Sequence, residues 1–450
     1  MRRAAPLLAV CAVCSVGPWM ACAGDAEPPR NLLLVTLDTL RADHLGVYGY
    51  SRPTSPALDA FAARATVFED ATCSMPTTLP SHVSIFTGLR PAQHGVRRNG
   101  QVPERDLATV FDLLAARGAA TAAVIGSRVM GERYLAGLGF DEVVFPSSER
   151  QYQARAKHVT NHAAAWIERH RAAPFALWVH YYDVHEPYAP AAGFARQFDR
   201  GYAGPLSGAL DVETLVGFND PAAAPLSAAD LAHVTDLYDA EIAYLDTHLG
   251  RLFARLEALG GMDDTVVVVV GDHGQALGDN GFFGHGLRLL EPVVKVPFLL
   301  RLPGQTAGAR VAAPVETVDL VPTLLELFAL APPGPLPGRS LLPVLAGKPL
   351  PVLPFRLVER RAYPEQPEVV GLALHGGDWK AVYYRDEDGE ESTLLGRGAG
   401  ELDGANLYEP GSQEARWLDA ARARLAGAEV AAAAPDEEEL RMLRALGYVD

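Results

Sequence analysis

The segment Asn31-Leu-Leu-Leu-Val-Thr-Leu-Asp38 decides the fold, because an uncharged, mostly aliphatic run ends directly in a carboxylate. Such a run is typical of a central parallel strand that is buried on both faces. Two further runs have the same character, Phe175-Ala-Leu-Trp-Val-His180 and Thr265-Val-Val-Val-Val-Val-Gly-Asp272. Ala-rich helical segments lie around them, at Leu107–Arg117 and Asp230–Ala258. We therefore predict an α/β fold with a doubly wound, mostly parallel central sheet flanked by helices.

Polar residues stand where these three strands end. In a doubly wound sheet, ligands bind at the carboxyl ends of the strands, so we expect Asp38, His180 and Asp272 to lie close together. Asp272 continues into His273 and Gly274, and an adjacent Asp and His can both reach one cation. Taken alone, an aspartate such as Asp38 is more often a helix cap. Taken together, these residues predict a site for a divalent cation.

Hydroxyl side chains precede a second feature, the amphipathic stretch that follows Thr77-Thr78-Leu79-Pro80-Ser81-His82. We predict a helix that begins near Pro80 or Ser81. The N–H groups at a helix N-terminus attract anions, so a hydroxyl just before the helix would lie close to a bound ester anion. The alternative is an ordinary capped helix with no chemistry.

Two more segments concentrate histidine. Asp183-Val-His185-Glu-Pro187 follows the second strand closely, and His285 lies between two glycines in Gly284-His285-Gly286. This density of His and Asp after a strand favours a reactive site, with a packed core as the alternative.

The rest of the chain suggests two further regions. Pro and Gly are dense in Ala331–Pro351, so we place a catalytic domain at residues 31–335 and a smaller α+β subdomain at residues 352–450 that ends in a helical tail from about Glu414. Residues 190–230 are rich in Ala, Gly and Pro and are predicted to form a loop-like insertion.

The N-terminus predicts export. Arg2 and Arg3 precede an apolar stretch that leads to Ala21-Cys22-Ala23, which is the pattern of a signal peptide at residues 1–23. A lipoprotein signal ending at Cys22 and an uncleaved anchor are the alternatives. We expect a periplasmic, extracellular or lipid-anchored protein, whose contact with a membrane is limited to that anchor.

The net charge of −16 argues against a nucleic-acid partner, because a phosphate backbone attracts Lys and Arg. It does not exclude a small anionic substrate that is held by a metal. Three of the four cysteines lie in or at the predicted signal, so no intrachain disulfide is expected.

Several segments in the same order along the chain resemble the sulfatase family of the alkaline phosphatase superfamily. The similarity covers nearly all of the predicted mature chain. It is carried by Asn31–Gly49, Thr78–Gly88, His94-Gly95-Val96, Asp183–Tyr188, Asp272–Gly286, Lys295-Val-Pro297, Val318–Leu324, Gly338–Leu341 and Leu443–Val449.

The resemblance implies roles for individual residues. Asp38, Asp272 and His273 would bind the metal together with the oxygen of Thr78. Asn99 would steady the ester oxygens, and the helix N-terminus near Ser81 would bind those that remain. His185 and His285 would protonate the leaving oxygen, or would hold a second metal with Asp183.

Four positions depart from the family pattern. Sulfatases place at position 78 a Cys or Ser that is oxidised to formylglycine, but this chain has Thr78, which cannot give that aldehyde. His82 stands in place of the family's Arg, His285 in place of its Lys, and Thr39 in place of its second metal Asp. Cys73 is not an alternative nucleophile, because Pro76 follows it one place too late.

We therefore expect a hydrolase of sulfate or phosphate esters that forms a covalent intermediate on Thr78, with His82, Asn99, His185 and His285 as further catalytic residues. One or two divalent cations (Ca, Mg, Mn or Zn) would serve as cofactor, and the substrate would be a small-molecule, glycan or lipid ester. The alternatives are a phosphodiesterase or phosphoethanolamine-type transferase with a two-metal site, and an inactive binding member.

Overall fold

The computed structural model describes residues 28–104, 106–147, 151–206, 209–351, 355–361, 370–376, 379–385, 391–397, 411–412, 415–416 and 419. The predicted signal at residues 1–23 lies outside these residues, as does most of the predicted helical tail. Among the described residues, no helix combines the length and apolar character that a membrane span requires.

The strands are β1 Asn31–Leu37, β2 Thr66–Thr72, β3 Ala120–Ile125, β4 Glu142–Val144, β5 Phe175–Tyr181, β6 Thr265–Gly271, β7 Ala276–Asp279, β8 Phe282–Gly284, β9 Lys295–Arg301, β10 Ala309–Val311, β11 Val315–Glu316, β12 Arg356–Arg361, β13 Val370–Gly376, β14 Trp379–Arg385 and β15 Glu391–Arg397.

The α-helices are α1 Pro56–Ala62, α2 Thr78–Thr87, α3 Pro91–His94, α4 Val110–Ala115, α5 Glu132–Leu135, α6 Ala156–His170, α7 Ala192–Phe198, α8 Val212–Gly217, α9 Ala228–Ala258, α10 Glu291–Val294, α11 Leu320–Leu327 and α12 Leu342–Leu345. Short 3₁₀ segments cover Ala42–His44, Gly46–Tyr48, Arg128–Met130, Gly261–Asp263 and Thr317–Asp319.

A nine-stranded sheet forms the centre of the molecule, in the order β10-β2-β9-β6-β1-β5-β3-β4 with β11 beside β2. Its central strands β6, β1, β5 and β3 are parallel. Strand β9 is antiparallel to both of its neighbours, β2 and β6. The predicted doubly wound and mostly parallel sheet is therefore confirmed.

Both faces of this sheet are buried. In β1, Leu32 and Leu34 belong to one apolar cluster, whereas Leu33 and Val35 belong to another on the opposite face. Helices α2, α4 and α11 contribute to the first cluster, and α1, α6 and α9 contribute to the second. Helices on both faces explain why the strand sequences are continuously apolar rather than alternating.

A small antiparallel sheet with the order β12-β13-β14-β15 follows the main domain. Val358, Ala373 and Val382 from this sheet join the apolar cluster that contains α2. The predicted loop-like insertion at residues 190–230 contains the short helices α7 and α8 as well as the start of α9.

Candidate active site

Two carboxylates leave adjacent parallel strands side by side. Leu37 at the end of β1 pairs with Gly271 at the end of β6, so that Asp38 and Asp272, the next residue of each strand, emerge at the same edge of the sheet. Both side chains are buried. Burial raises the pKa of both carboxyl groups, and the charge of Asp38 raises that of Asp272 further.

The two carboxylates differ in their hydrogen bonds. Oδ1 of Asp272 accepts from the backbone N–H groups of His273 at 2.7 Å and Thr39 at 3.3 Å. Thr39 has a left-handed backbone with φ of 53°, which β-branched residues rarely adopt. Within the described part of the chain, Asp38 Oδ1 and Asp272 Oδ2 are buried without a hydrogen-bond partner. Unsatisfied buried oxygens of this kind are costly unless a cation accompanies them.

His273 completes this cluster. Its Nδ1 lies 3.0 Å from the carbonyl oxygen of Gly274, to which it donates, and its Nε2 lies 3.4 Å from Asp272 Oδ2 and 4.0 Å from Asp38 Oδ1. Gly274 is required here, because an added Cβ would lie 2.0 Å from the carbonyl oxygen of Pro292. One ligand atom from each of Asp38, Asp272 and His273 lies within 4.8 Å of the others, so the donor set fits one divalent cation.

Thr78 lies against this cluster. Its hydroxyl oxygen is 3.5 Å from Nε2 of His273, and the hydroxyl also hydrogen-bonds to the carboxylate of Asp38. Ser81 lies one turn after Thr78 in α2. Its Oγ donates to the carbonyl oxygen of Asp272 at 2.7 Å, so this hydrogen bond connects α2 to the loop that follows β6. The structure thus brings the predicted nucleophile and the three predicted metal ligands together.

The start of α2 differs from the prediction. The helix begins at Thr78 rather than near Pro80 or Ser81, with Thr77 as its N-cap. Pro80 is tolerated because N–H groups in the first turn have no acceptor within the helix.

This helix end also has few N–H groups left for an anion. The Leu79 N–H donates to Asn99 Oδ1 at 2.8 Å, Ser81 N–H donates to the carbonyl oxygen of Thr77, and Pro80 has no N–H. The N–H groups of Leu79 and Ser81 are therefore engaged within the protein, which does not support the expected oxygen-binding role of the helix N-terminus near Ser81. Asn99 is the better donor, since its Nδ2 is buried and has no partner among the described residues.

His82 lies in the layer behind Thr78. Its Nδ1 is 2.7 Å from the carbonyl oxygen of Thr78, and its Nε2 is 2.9 Å from the hydroxyl of Thr36. The ring is fully buried. Because both of its nitrogens contact the protein interior, His82 holds the backbone of Thr78 in place, and this geometry does not support the predicted direct catalytic role.

A second group of potential ligands borders the first. The rings of His185 and His285 have centroids 5.0 Å apart, and His285 is 4.6 Å from the ring of His273. One ligand atom from each of His185, Glu186 and His285 lies within 4.8 Å of the others. Burial raises the pKa of Glu186 to about 7.

Asp183, the carboxylate expected beside these histidines, lies elsewhere. Its Oδ1 accepts from the backbone N–H of Ala156 at 3.0 Å and lies 3.2 Å from Nε of Arg155. The expected place of Asp183 beside these histidines is therefore wrong, and Glu186 lies there instead. Glu186 directly follows His185 and Asp183 precedes it by two residues, so the sequence alone does not show which of the two faces the histidines.

Comparison with known proteins identifies the family. Residues 30–330 match the family model described as "Sulfatase". The chain is 23% identical over 417 residues to the Delta 4,5-hexuronate-2-O-sulfatase of Bacteroides thetaiotaomicron, covering 84% of this chain and 85% of that protein.

Two solved structures share the fold. One, described as a complex with its substrate D-glucosamine-2-N,6-O-disulfate, aligns with a TM-score of 0.73 at 19% identity, covering 92% of this chain and 100% of its own. The other, the phosphonate monoester hydrolase of Silicibacter pomeroyi, aligns with a TM-score of 0.69 at 21% identity, covering 88% and 94%. Because the family model spans more than half of the chain, this protein belongs to the sulfatase family and is a hydrolase of that family.

Proposed function

We propose that this protein is a metal-dependent hydrolase of sulfate or phosphate esters in which Thr78 forms the covalent intermediate. The observation that carries this proposal is the position of the Thr78 hydroxyl, 3.5 Å from Nε2 of His273 and hydrogen-bonded to Asp38. A hydroxyl becomes a nucleophile when a neighbouring base or cation makes it easier to deprotonate.

Asp38, Asp272 and His273 would hold the cation. A divalent cation bound by these side chains supplies Lewis acidity, which lowers the pKa of a nearby hydroxyl. Hard oxygen ligands with one imidazole are compatible with Mg, Ca, Mn and Zn, so the identity of the metal is left to measurement.

The remaining chemistry belongs to the chain's own residues. The Thr78 hydroxyl gives up its proton and its oxygen bonds to sulfur or phosphorus, while the bond to the leaving ester oxygen breaks and that oxygen takes up a proton. Water then breaks the bond to Thr78, restores its hydroxyl and releases the acid. Nδ2 of Asn99 is suited to donate to a non-bridging ester oxygen, because its Oδ1 is already engaged by Leu79. His82 keeps the Thr78 backbone in position from behind.

Two arguments about the class of ester point in opposite directions. The family membership and the named activity of the Bacteroides thetaiotaomicron relative favour a sulfate ester. The departures at positions 78, 82 and 285, which replace the family's formylglycine precursor, Arg and Lys with Thr and two His, favour a phosphate ester. As in the structural neighbour with a disulfated glucosamine, the ester group would be carried by a glycan or another small molecule.

A second candidate function is phosphoester hydrolysis with two cations. The specific observation in its favour is the group of His185, Glu186 and His285, which lies directly beside His273. Metal analysis distinguishes the candidates: one equivalent of bound metal per chain supports a single site, and two equivalents support the two-cation reaction. A transferase would instead pass a labelled head group to an acceptor hydroxyl.

The central test uses Thr78→Ala with Thr77→Ala as its matched control, since Thr77 carries the neighbouring hydroxyl and makes no side-chain cap hydrogen bond. Paired assays with an aryl sulfate and an aryl phosphate decide which ester is hydrolysed. We expect kcat to fall by about a thousandfold or more in Thr78→Ala and to stay near wild type in Thr77→Ala. Full activity of Thr78→Ala would refute the Thr78 mechanism. A wild type that hydrolyses neither ester in the presence of each of Mg, Ca, Mn and Zn would favour a binding member.

A further inference from the structure

We infer that Gln275 is a positioning residue that holds the imidazole of His285 in one orientation and one tautomer, and that Glu186 sets the direction of the Gln275 amide. The inference deepens the proposed function and rests on it, because His285 borders the Thr78 site through His273.

The three side chains form a directed chain of hydrogen bonds. Nε2 of Gln275 donates to Oε2 of Glu186 at 2.9 Å, and Oε1 of Gln275 lies 2.7 Å from Nδ1 of His285. In its ionised form Glu186 only accepts hydrogen bonds, so the amide NH₂ of Gln275 faces Glu186 and the amide oxygen faces His285. The amide oxygen also only accepts, so Nδ1 of His285 carries the proton and Nε2 carries the lone pair.

Gln275 is well suited to fix a neighbour, because its own backbone is held on both sides. Its N–H donates to the carbonyl oxygen of Pro292, and its carbonyl oxygen accepts from Nη1 of Arg41 at 3.2 Å. Arg41 is in turn paired with Asp279 at 2.7 Å. Gln275 is 1% exposed, so water does not compete for its amide.

The same pattern recurs at the two neighbouring histidines. Nδ1 of His185 lies 2.8 Å from the carbonyl oxygen of Glu186, and Nδ1 of His273 lies 3.0 Å from that of Gly274. Each of these rings therefore donates from Nδ1 and presents Nε2 as the atom with the lone pair. Glu186 acts on two of them, through its carbonyl oxygen on His185 and through Gln275 on His285.

A consequence for the chemistry follows from the tautomer. A neutral His285 held in this way can accept a proton or bind a cation at Nε2, but it cannot donate a proton from that atom. Gln275 would thus decide the role of His285 without contacting the substrate, as is common for groups that orient a metal-binding histidine.

The experiment compares the wild type with Gln275→Met, Gln275→Glu and Glu186→Gln. Gln275→Met keeps the size of the side chain but loses both hydrogen bonds, whereas Gln275→Glu keeps an acceptor for His285. Gln305→Met is the matched control, because Gln305 also bonds at both ends of its amide, to Leu302 N–H and the carbonyl oxygen of Ala307. It follows β9 at the opposite end of the sheet.

The readout is the ¹H–¹⁵N spectrum of the imidazole groups in protein labelled with ¹⁵N-histidine and treated with a chelator, where the His285 signals are those lost in His285→Gln. We expect one tautomer, protonated at Nδ1, in the wild type and in Gln275→Glu. A mixture is expected in Gln275→Met and in Glu186→Gln, which no longer fixes the direction of the amide. We also expect kcat to fall 10- to 100-fold in Gln275→Met, with a smaller change in KM.

Unchanged His285 signals together with wild-type kcat in Gln275→Met would overturn the inference. If that variant does not fold, a single unchanged tautomer in Glu186→Gln overturns the directing role of Glu186. The tautomer measurement needs no turnover, so it separates this inference from the Thr78 mechanism: Thr78→Ala is expected to lose activity and to keep the His285 signals of the wild type.

Discussion

Nε2 of His180 lies 3.1 Å from Oδ2 of Asp38, at the buried carboxyl end of the central sheet. The neighbouring parallel strands β1 and β5 create this contact, because Thr36 pairs with His180 in their register. The ionised form of Asp38, which would bind the cation, only accepts hydrogen bonds, so His180 donates to it from Nε2. The bond turns one oxygen of Asp38 toward His180 and leaves Oδ1, 4.0 Å from His273 Nε2, on the side of the proposed cation.

His180 should therefore tune cation affinity without being a ligand. We expect His180→Phe to weaken the affinity for the divalent cation 10- to 100-fold, because Asp38 loses the group that orients it. His180→Gln, which keeps an N–H donor, should lose less. Titration calorimetry with each of Mg, Ca, Mn and Zn measures the Kd. His162→Phe is the control, because His162 is an exposed residue of α6; equal Kd values in His180→Phe and this control would contradict the prediction.

Removal of the cation should destabilise the protein. Asp38 Oδ1 and Asp272 Oδ2 are buried without hydrogen-bond partners among the described residues, so a bound cation compensates two carboxylates that water cannot reach. A ligand that binds only the folded state stabilises it by about 2.7 kcal/mol at a hundred times its Kd. We expect a chelator to lower the Tm by a few degrees, and readdition of metal to restore it.

The decrease in Tm on chelation should disappear in Asp272→Asn. It should persist in Asp106→Asn, which changes an exposed aspartate. Because cation and protons compete for the carboxylates, the increase in Tm on adding metal should shrink as the pH falls. If the increase in Tm on adding metal is the same in Asp272→Asn as in the wild type, the cation binds at another site. Differential scanning calorimetry at several pH values provides the measurement.

His82 should act on turnover through the position of Thr78. Its two ring nitrogens contact the Thr78 carbonyl oxygen and the Thr36 hydroxyl, so His82→Phe removes two buried hydrogen bonds and should cost about 1–3 kcal/mol of stability. We expect kcat to fall while the pH profile of kcat/KM keeps its shape. Loss of one limb of that profile would instead show that His82 transfers a proton in the reaction.

The fold and the group of Asp38, Asp272 and His273 could be predicted because both depend on where the strands run and end. The apolar runs that end at Asp38 and Asp272 are long enough to identify buried parallel strands, and parallel neighbours necessarily bring their next residues to one edge of the sheet. Thr78 also lies beside these residues in the structure. Its helix could be predicted from the hydroxyl residues before the amphipathic stretch, whereas the choice of Thr78 as nucleophile depends on the family resemblance.

The group of His185, Glu186 and His285 could not be predicted with the same precision. Whether Asp183 or Glu186 faces the histidines depends on the path of the loop after β5, and Arg155 from before α6 pairs with Asp183. That contact joins residues 28 positions apart and leaves no local pattern. The amide of Gln275 is equally invisible, because its importance arises only when Glu186 and His285 lie at its two ends.

A last prediction concerns the attachment of the small sheet to the main domain. Oε1 of Glu291 in α10 lies 2.8 Å from Nζ of Lys380 in β14, and its Oε2 lies 3.6 Å from Nζ of Lys295. Burial alone would raise the pKa of Glu291, but the neighbouring positive charges outweigh it and lower the pKa to about 2. His375 also lies beside Glu291, but burial lowers its pKa to about 3, so the two lysines supply the charge at neutral pH.

Glu291→Gln should therefore destabilise the protein by about 2 kcal/mol at pH 7, a value reduced from the full pKa shift because His375 is neutral there. A carboxyl group with a lowered pKa stabilises the folded state above the pKa it has when unfolded, near 4.5. That stabilisation is lost as the pH falls from 4.5 toward 2. The difference in the free energy of unfolding between Glu291→Gln and the wild type should therefore shrink over this range. Urea unfolding at pH 7, 5 and 3 measures it. Glu257→Gln, which removes an exposed partner of Arg64, should have little effect at any pH, and an effect of Glu291→Gln that is independent of pH would show that packing rather than charge attaches the small sheet.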